Sequence, residues 1–398
     1  MNKNKLMVMF ITFIVLIAIT PLIFGKLMNS KYNQMLNDLR AKGMQIKVVD
    51  DKSGYLQTDK ILEVTIPAEI LNTQGVIDEV KLNIETKFKN LPVTNVVFLG
   101  KLDKLVLNGQ FKKSEKELNE FLRKYIEFVV TTPNFRDYSY KFKDIIIDKK
   151  PTVGIEHITG MFKNGELLKN RLKIKDIYVK DKKGFIEIKN FKNDFEGNEK
   201  NSLSKTDFNV NVNLNRFKLQ IQNVYSTTKT VLNELVKVNS TFGFKTLNVP
   251  NAVNADNFKV IAKIKGIKTE LLKQLSQAEK EEKDKYLEKI FEDGFSINID
   301  SALKNVKVMQ RNFGGYSLNF DIKFLPTKNF KEKLNNNNID FVDAKLHFVT
   351  TPEIANILMN ALPRSAFLFA LAKKENGKVI LNLEFKQGKL YSEGQLVK

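Results

Sequence analysis

The sequence predicts an α+β protein: an N-terminal transmembrane helix, then a strand-dominated domain of long antiparallel, curved sheet with a few inserted helices. Three observations carry that prediction. An uncharged run, Leu6 to Phe24, follows the short basic start Met1-Asn2-Lys3-Asn4-Lys5. From Met44 onward, apolar residues recur with period two over long stretches. Three stretches break that period with the three- and four-residue spacing of helices.

The run from Leu6 to Phe24 consists mostly of Leu, Ile, Val, Phe and Met. As a helix it would span roughly 28 Å, close to the hydrocarbon thickness of a bilayer. A cleaved signal peptide would need small residues ahead of the cut, and Pro21-Leu22-Ile23-Phe24-Gly25-Lys26 offers no such pair. An uncleaved signal anchor is therefore the reading adopted. Lys3, Lys5 and the terminal amine favour a cytoplasmic N-terminus, although Lys26 and Lys31 follow on the other side. Residues 1–25 are read as the anchor, 26–43 as a helical stalk and 44–398 as a periplasmic α+β domain. Any division of that domain into halves is expected near 248–257.

In the stalk, Met28, Tyr32, Met35, Leu36 and Leu39 share one helical face and Gly43 supplies a C-terminal stop. Lys47 to Tyr55 reads as a strand entering a turn, with Asp50-Asp51 in the turn, where Asp is common for backbone reasons. Leu62, Val64 and Ile66 alternate next. Strands are expected at 80–88, 93–107, 138–147, 153–162 and 172–179. The clearest alternation is Phe208, Val210, Val212 and Leu214, with Asn209, Asn211, Asn213 and Asn215 between and after them. The phase slips at Asn215-Arg216, then resumes with Phe217, Leu219 and Ile221. Later strands are marked by Phe295 to Ile299, Tyr316 to Phe324 and Val379 to Phe385.

Helices interrupt this pattern in three places. Ser114 with Glu117 forms a capping-box pattern ahead of Leu118, Phe121, Leu122, Tyr125, Ile126 and Val129. Residues 268–291 read as one long exposed helix or two short ones, because Gln277 to Lys285 is nearly all charged. Residues 351–373 carry Pro352 near the start and a break at Pro363. Strands with one wet face imply antiparallel pairing, and the lack of strand–helix alternation argues against a parallel doubly wound sheet.

The net charge is +20. Either anionic partners such as lipid account for it, or AT-rich coding does, since Lys and Asn abound, Arg is scarce and Trp is absent. The lysines are spread out, with no Arg-rich helical stripe, so nucleic acid is not expected as a partner. No cysteine occurs, which removes cysteine nucleophiles and cysteine metal sites. Phosphate-loop, dinucleotide, nucleophile-elbow and zinc-protease motifs are all missing. His157 shares its phase with Val153 and Ile155 and is expected to face the sheet interior. His347 falls on the opposite phase from Leu346 and Phe348, and both histidines read as structural. The sequence nominates no catalytic residue, no cofactor-binding residue, no metal ligand and no cofactor. Glycines 54, 165, 184, 314, 315, 377, 388 and 394 read as turns. The Phe-rich strands build either an ordinary core or an apolar groove for acyl chains, and the core reading is the more economical.

The opening from Met44 to Asp50, followed by Ser53-Gly54-Tyr55-Leu56-Gln57-Thr58, resembles the YdgA-like family of exported bacterial proteins, with Thr58 where the family has serine. The C-terminus is similar too. Leu381 to Gln395 reads as a closing strand, a glycine turn and a short final strand, with Glu393-Gly394 in place of Asn-Gly. Ala361-Leu362-Pro363 and the apolar helix after it fit the same layout. The resemblance implies a membrane-anchored envelope protein and carries over no catalytic residues.

These features together lead to the expectation of a single-pass inner-membrane protein of a Gram-negative bacterium, with its large domain in the periplasm. The expected role is non-enzymatic binding or structure at the envelope, with membrane lipid or an envelope protein as partner. The alternatives are an envelope hydrolase acting on glycan or peptide, and an assembly partner of another membrane protein. A reporter that works only after export, fused behind Lys398, is expected to be active; a fusion active solely in the cytosol would overturn the anchor reading.

Overall fold

The computed structural model describes residues 24–71, 76–91, 95–148, 150–198, 200–278, 282–336, 338–361 and 366–397. The expected anchor therefore lies, except for its last residues from Phe24, outside the described residues, as does Pro363. No helix among the described residues is long and apolar enough to cross a membrane. The chain divides into two compact units, residues 1–177 and 178–398, and residues 248–257 fall inside the second. Both are built mainly from antiparallel strands, as the period-two pattern predicts.

Unit 1 opens with helix α1 (24–41). Its strands are β1 (Gln45–Ser53), β2 (Gln57–Pro67), β3 (Ile77–Lys89), β4 (Val96–Leu107), β5 (Glu127–Thr132), β6 (Asp137–Phe142), β7 (Ile145–Ile147), β8 (Thr152–Glu156), β9 (Thr159–Lys163) and β10 (Leu168–Asp181), the last running across the division. Helix α2 (Ala68–Leu71) follows β2, and α3 (Glu115–Tyr125) connects β4 to β5. The sheet runs β1-β2-β3-β4-β5-β6-β9-β10, all antiparallel, while β7 and β8 form a hairpin.

The stretch read as a stalk is docked on this sheet. Met28, Tyr32 and Leu36 recur every four residues and bury one stripe of α1 against Leu62, Val64, Phe88, Val96 and Phe98. Tyr32 is fully buried. Its ring stacks on Phe98 at 6.3 Å and its hydroxyl hydrogen-bonds the Thr86 hydroxyl at 3.1 Å. Burial pushes the Tyr32 phenol above its ordinary range.

Several local expectations are corrected. Asp50 and Asp51 belong to β1, which runs to Ser53, so the turn comes later. The expected strand over 138–147 is interrupted at Lys143-Asp144, and that over 153–162 at His157-Ile158. His157 breaks its strand because its backbone is left-handed (φ 54°). That conformation turns the side chain outward instead of into the sheet, leaving it 52% exposed. The Ser114 side chain makes no cap bond; instead the Glu115 carboxylate accepts from the Leu107 N–H at 3.1 Å. The helix stops at Tyr125, and Val129 belongs to β5, a β-branched segment that pairs with both β4 and β6.

Helix α3 finishes the edge of β4. Strand β5 pairs only with residues 96–101 of β4. Beyond them, the buried Asn119 side chain accepts from the Leu105 N–H at 2.6 Å and donates to the Leu105 carbonyl at 2.7 Å. An amide side chain thus does what another strand would do.

Unit 2 is a longer meander. Its strands are β11 (Gly184–Gly197), β12 (Asn201–Leu214), β13 (Phe217–Leu232), β14 (Leu235–Val249), β15 (Val253–Lys268), β16 (Phe295–Val308), β17 (Arg311–Phe324), β18 (Val342–Thr350), β19 (Lys373–Glu375), β20 (Lys378–Lys386), β21 (Lys389–Ser392) and β22 (Gln395–Leu396). Each strand pairs antiparallel with the next from β11 to β18. Strand β20 then joins β18, β19 and β21 share its far edge, and β22 closes on β21. The expected helical stretch 268–291 is two helices, α4 (Thr269–Gln277) and α5 (Lys283–Asp293). Helix α6 (Phe330–Asn335) joins β17 to β18, and α7 (Pro352–Ala361) and α8 (Ala366–Ala370) precede β19.

Aromatic packing seals one end of this sheet. Phe291 of α5 stacks on Phe330 of α6 at 4.0 Å and meets Phe295 and Phe324 edge-on at 5.3 and 5.4 Å. The closing hairpins turn on Asn376-Gly377, Gln387-Gly388 and Glu393-Gly394, with positive φ at both residues of each pair. That geometry matches the twist of the flanking strands.

Midway along the strands, β11, β13 and β15 carry left-handed asparagines, Asn190, Asn223 and Asn257 (φ 54°, 51° and 55°). Asparagine tolerates this conformation better than most residues. The first two sit at register shifts against β12, and the Asn223 N–H is taken up by the Asn209 side chain at 2.8 Å. Irregularities of this kind bend a strand and increase its twist.

Replacing Asn119 with Ala is expected to leave both Leu105 backbone groups unpaired, at about 2–4 kcal/mol of stability from two buried unsatisfied groups. Urea unfolding would measure it; a loss below ~0.5 kcal/mol would show that the edge does not depend on this side chain.

Candidate functional site

Between the left-handed asparagines and the turns at Asn215-Arg216, Pro250-Asn251 and Met309-Gln310, the sheet of unit 2 separates its two faces by chemistry. Directly paired residues project on the same face. One transverse row reads Ile188, Val210, Ile221, Leu247, Ala255 and Val306, one residue from each strand β11 to β16. The adjacent row holds Ile186, Val212 and Leu219, and continues with Val249, Val253 and Val308. Leu214 and Phe217 extend it toward the turn.

The neighbouring positions point the other way and are polar. Glu187, Asn211, Gln220, Asn248, Asn254, Lys307 and Asn312 form an unbroken ladder over β11 to β17. Such a sheet has one face for water and one for something apolar.

The apolar face is not closed over. Ile186 is 47% and Phe217 46% exposed, and apart from the buried Ala255 the residues of both rows are half-buried or exposed. Helices α4 and α5 touch β15, whose last residue leads straight into α4, and α7 touches β17 and β20. Six strands spaced ~4.8 Å apart put the ends of a row ~24 Å from each other. That exceeds the roughly 15 Å hydrocarbon depth of one bilayer leaflet, half of the ~30 Å core.

Unit 1 has a different feature, a cavity of about 930 Å³ between α1 and the sheet. Met35 and Leu39 of α1 and Val130, Tyr138, Tyr140 and Phe162 of the sheet line it. The two phenols are already engaged, Tyr138 donating to the Phe135 carbonyl at 2.7 Å and Tyr140 to the Asn170 side chain at 3.1 Å.

Several titratable groups are engaged in hydrogen bonds and ion pairs. The His157 backbone N–H donates to Asp144 at 2.7 Å. His347 meets the Asn382 amide oxygen, and the Asn382 nitrogen donates to Glu393 at 2.8 Å. Asp300 accepts from Asn319 at 2.6 Å and from Lys263 at 3.3 Å, which together hold its carboxyl below the ordinary range. A shallow polar depression on unit 2 contains Asp321, Asp343 and Glu384; Asp321 accepts from Asn298 at 2.7 Å and Glu384 pairs with Lys345 at 3.3 Å, while the Asp343 Oδ1 is buried with no hydrogen-bond partner among the described residues. No cluster of three or more His, Asp or Glu among the described residues could hold a metal ion.

Near the core of unit 1, the Lys60 ammonium is almost fully buried. It reaches Asp51 at 2.9 Å and lies 5.3 Å from the centre of the Tyr32 ring. Burial would raise the Asp51 carboxyl, but the Ser53 hydroxyl and the Lys60 ammonium outweigh it and hold the group below its ordinary value.

Comparisons with protein-family models, with curated proteins and with solved structures match nothing to this chain.

The sequence reading identified the alternation on β12 and the start of β13 but missed the continuation through β14 and β15. The signal was present: Leu247, Val249, Val253 and Ala255 alternate on either side of a Pro-Asn turn. The Pro250-Asn251 turn cuts it into two short runs of two apolar positions each, too few to stand out as an alternation.

Asp51→Asn is expected to cost about 1–2 kcal/mol at neutral pH, less than the ~3–5 of a fully buried pair because Asp51 is 44% exposed to water. With its folded value lowered, Asp51 stabilises the fold above the unfolded carboxylate value of ~3.9 and stops doing so as pH falls through the folded value. Urea melts between pH 3 and 7 should therefore show a shallower acid loss in the variant than in the parent chain.

Proposed function

We propose that this protein is anchored in the inner membrane by its N-terminal segment and holds lipid acyl chains in the periplasm on the apolar face of unit 2. The observation that carries the reading is the pair of aliphatic rows from β11 to β16, uncovered and backed by a polar ladder. Exposed apolar patches of this breadth mark interaction surfaces. An aliphatic floor with no polar group suits a hydrocarbon chain, which offers no hydrogen bonds and gains about 0.8 kcal/mol per methylene removed from water. The bends at Asn190, Asn223 and Asn257 would give the sheet the curvature of a groove. The charge of +20 favours proximity to anionic headgroups. The resemblance to the YdgA-like family points to the same compartment. The role proposed is binding or presentation of lipid, without a chemical step.

Site-specific photocrosslinking in cells tests this. A benzophenone side chain at position 219 or 221 is expected to capture lipid, while the same group at Gln220, on the polar face, is not. Capture of a discrete protein at 219 and 221 would favour the assembly-partner reading instead, and equal lipid capture at all three positions would remove the sheet-face reading.

A further inference from the structure

The cavity of unit 1 has a charge pattern of its own. Its lining mixes apolar residues with Gln34, Asn134 and Asn164, and it carries Lys31 and Lys42, about three turns apart on α1, and Arg136 from the β5–β6 turn, with Asp38 as an opposing charge. All four are exposed, and among the described residues none is in an ion pair. Asp137 lies beside Arg136 and pairs with Lys163 at 3.4 Å, so the three cations face two carboxylates, Asp38 and Asp137, and keep a surplus of one positive charge.

The helix dictates this arrangement. Met28, Tyr32 and Leu36 hold one stripe of α1 on the sheet, so the adjoining stripe of Lys31, Met35, Asp38, Leu39 and Lys42 must wall the cavity. Along that stripe the two cations stand at the ends with Met35, Asp38 and Leu39 between them, so hydrocarbon contact lies next to charge at either end. Both tyrosine hydroxyls of the lining already donate to protein, and the Asn134 side chain donates to Asp137. A ligand therefore finds ring faces and aliphatic side chains beside Gln34 and Asn164, with the cations at the ends.

We infer that this cavity binds one anionic single-chain amphiphile, a fatty acid, with its chain between α1 and the sheet and its carboxylate at Lys31 and Arg136, the end where Tyr32 meets Phe135. The volume lies within the ~300–1,000 Å³ of small-molecule sites. Carboxylate recognition by guanidinium and ammonium groups supplies the polar end. The site belongs to unit 1 alone and does not depend on the apolar face of unit 2.

The test uses the full chain in phosphatidylcholine nanodiscs with a diazirine-bearing fatty acid and the matching fatty alcohol, followed by peptide mapping. Fatty-acid label is expected on peptides covering 31–42 and 130–162. K31E/R136E should reduce that labelling at least tenfold, while K42E changes it, and the double variant changes labelling by the alcohol, less than about twofold. Val130→Phe, which fills the cavity, should reduce both. Label spread without enrichment, or a double variant that loses acid and alcohol equally while its thermal unfolding is unchanged, would overturn the assignment. Stronger labelling of 31–42 by a diazirine phosphatidylglycerol than by the fatty acid would also overturn it, because the occupant would then be a two-chain lipid. Label confined to 186–221 would support the unit 2 face and sink this site.

Discussion

Register is the constraint on which everything in unit 2 depends. A strand alternates its side chains with a period of two, so a slip of one residue exchanges its faces. The row from Ile188 to Val306 exists only because successive strands keep their pairing in phase. One strand out of step would bring asparagine and lysine into the apolar rows and valine among the polar ones. The register shifts near Asn190 and Asn223 are tolerated because they lie at the boundary of the two-faced region, where their side effects fall on a bend.

Unit 1 solves a different problem, that of closing a core with a single helix. Tyr32 anchors the contact by ring stacking and by a hydrogen bond to Thr86. Lys60 enters the same region only because Asp51 and the Tyr32 ring receive its charge. The helix is long enough to reach past this core, and the part of it that does so leaves the cavity beside Tyr138 and Phe162. The apolar surfaces of the two units are accordingly of different kinds: one is a consequence of incomplete covering by a helix, the other of having no cover.

Much of this was legible from residues alone. The four-residue spacing of Met28, Tyr32 and Leu36 marks α1, and the alternation Phe208 to Leu214 marks β12. The two-helix alternative for 268–291 follows from its charged middle. What stayed hidden depends on residues brought together from far apart in the chain. Asn119 looks like any exposed helical amide until β4 is seen to outrun β5. His157 shares the phase of its strand, yet its left-handed backbone ends that phase. Gly100, Gly160 and Gly243 lie within strands, not turns, and each faces an aromatic ring across the pair: Phe128, Tyr140 and Tyr225. A methyl group at Gly100 would sit 2.0 Å from the Phe128 ring. Nothing local to a glycine announces the ring that will lie over it.

The strand order of unit 2 has a kinetic corollary. From β11 to β18 every strand finds its partner in the segment made immediately before it, so no strand waits for a distant one. Wide sheets usually fold slowly because their contacts span long loops. A polypeptide delivered from its N-terminus can instead add hairpins one at a time, each new strand templated by the exposed edge of the last, with only a single open edge for other chains to capture at any moment.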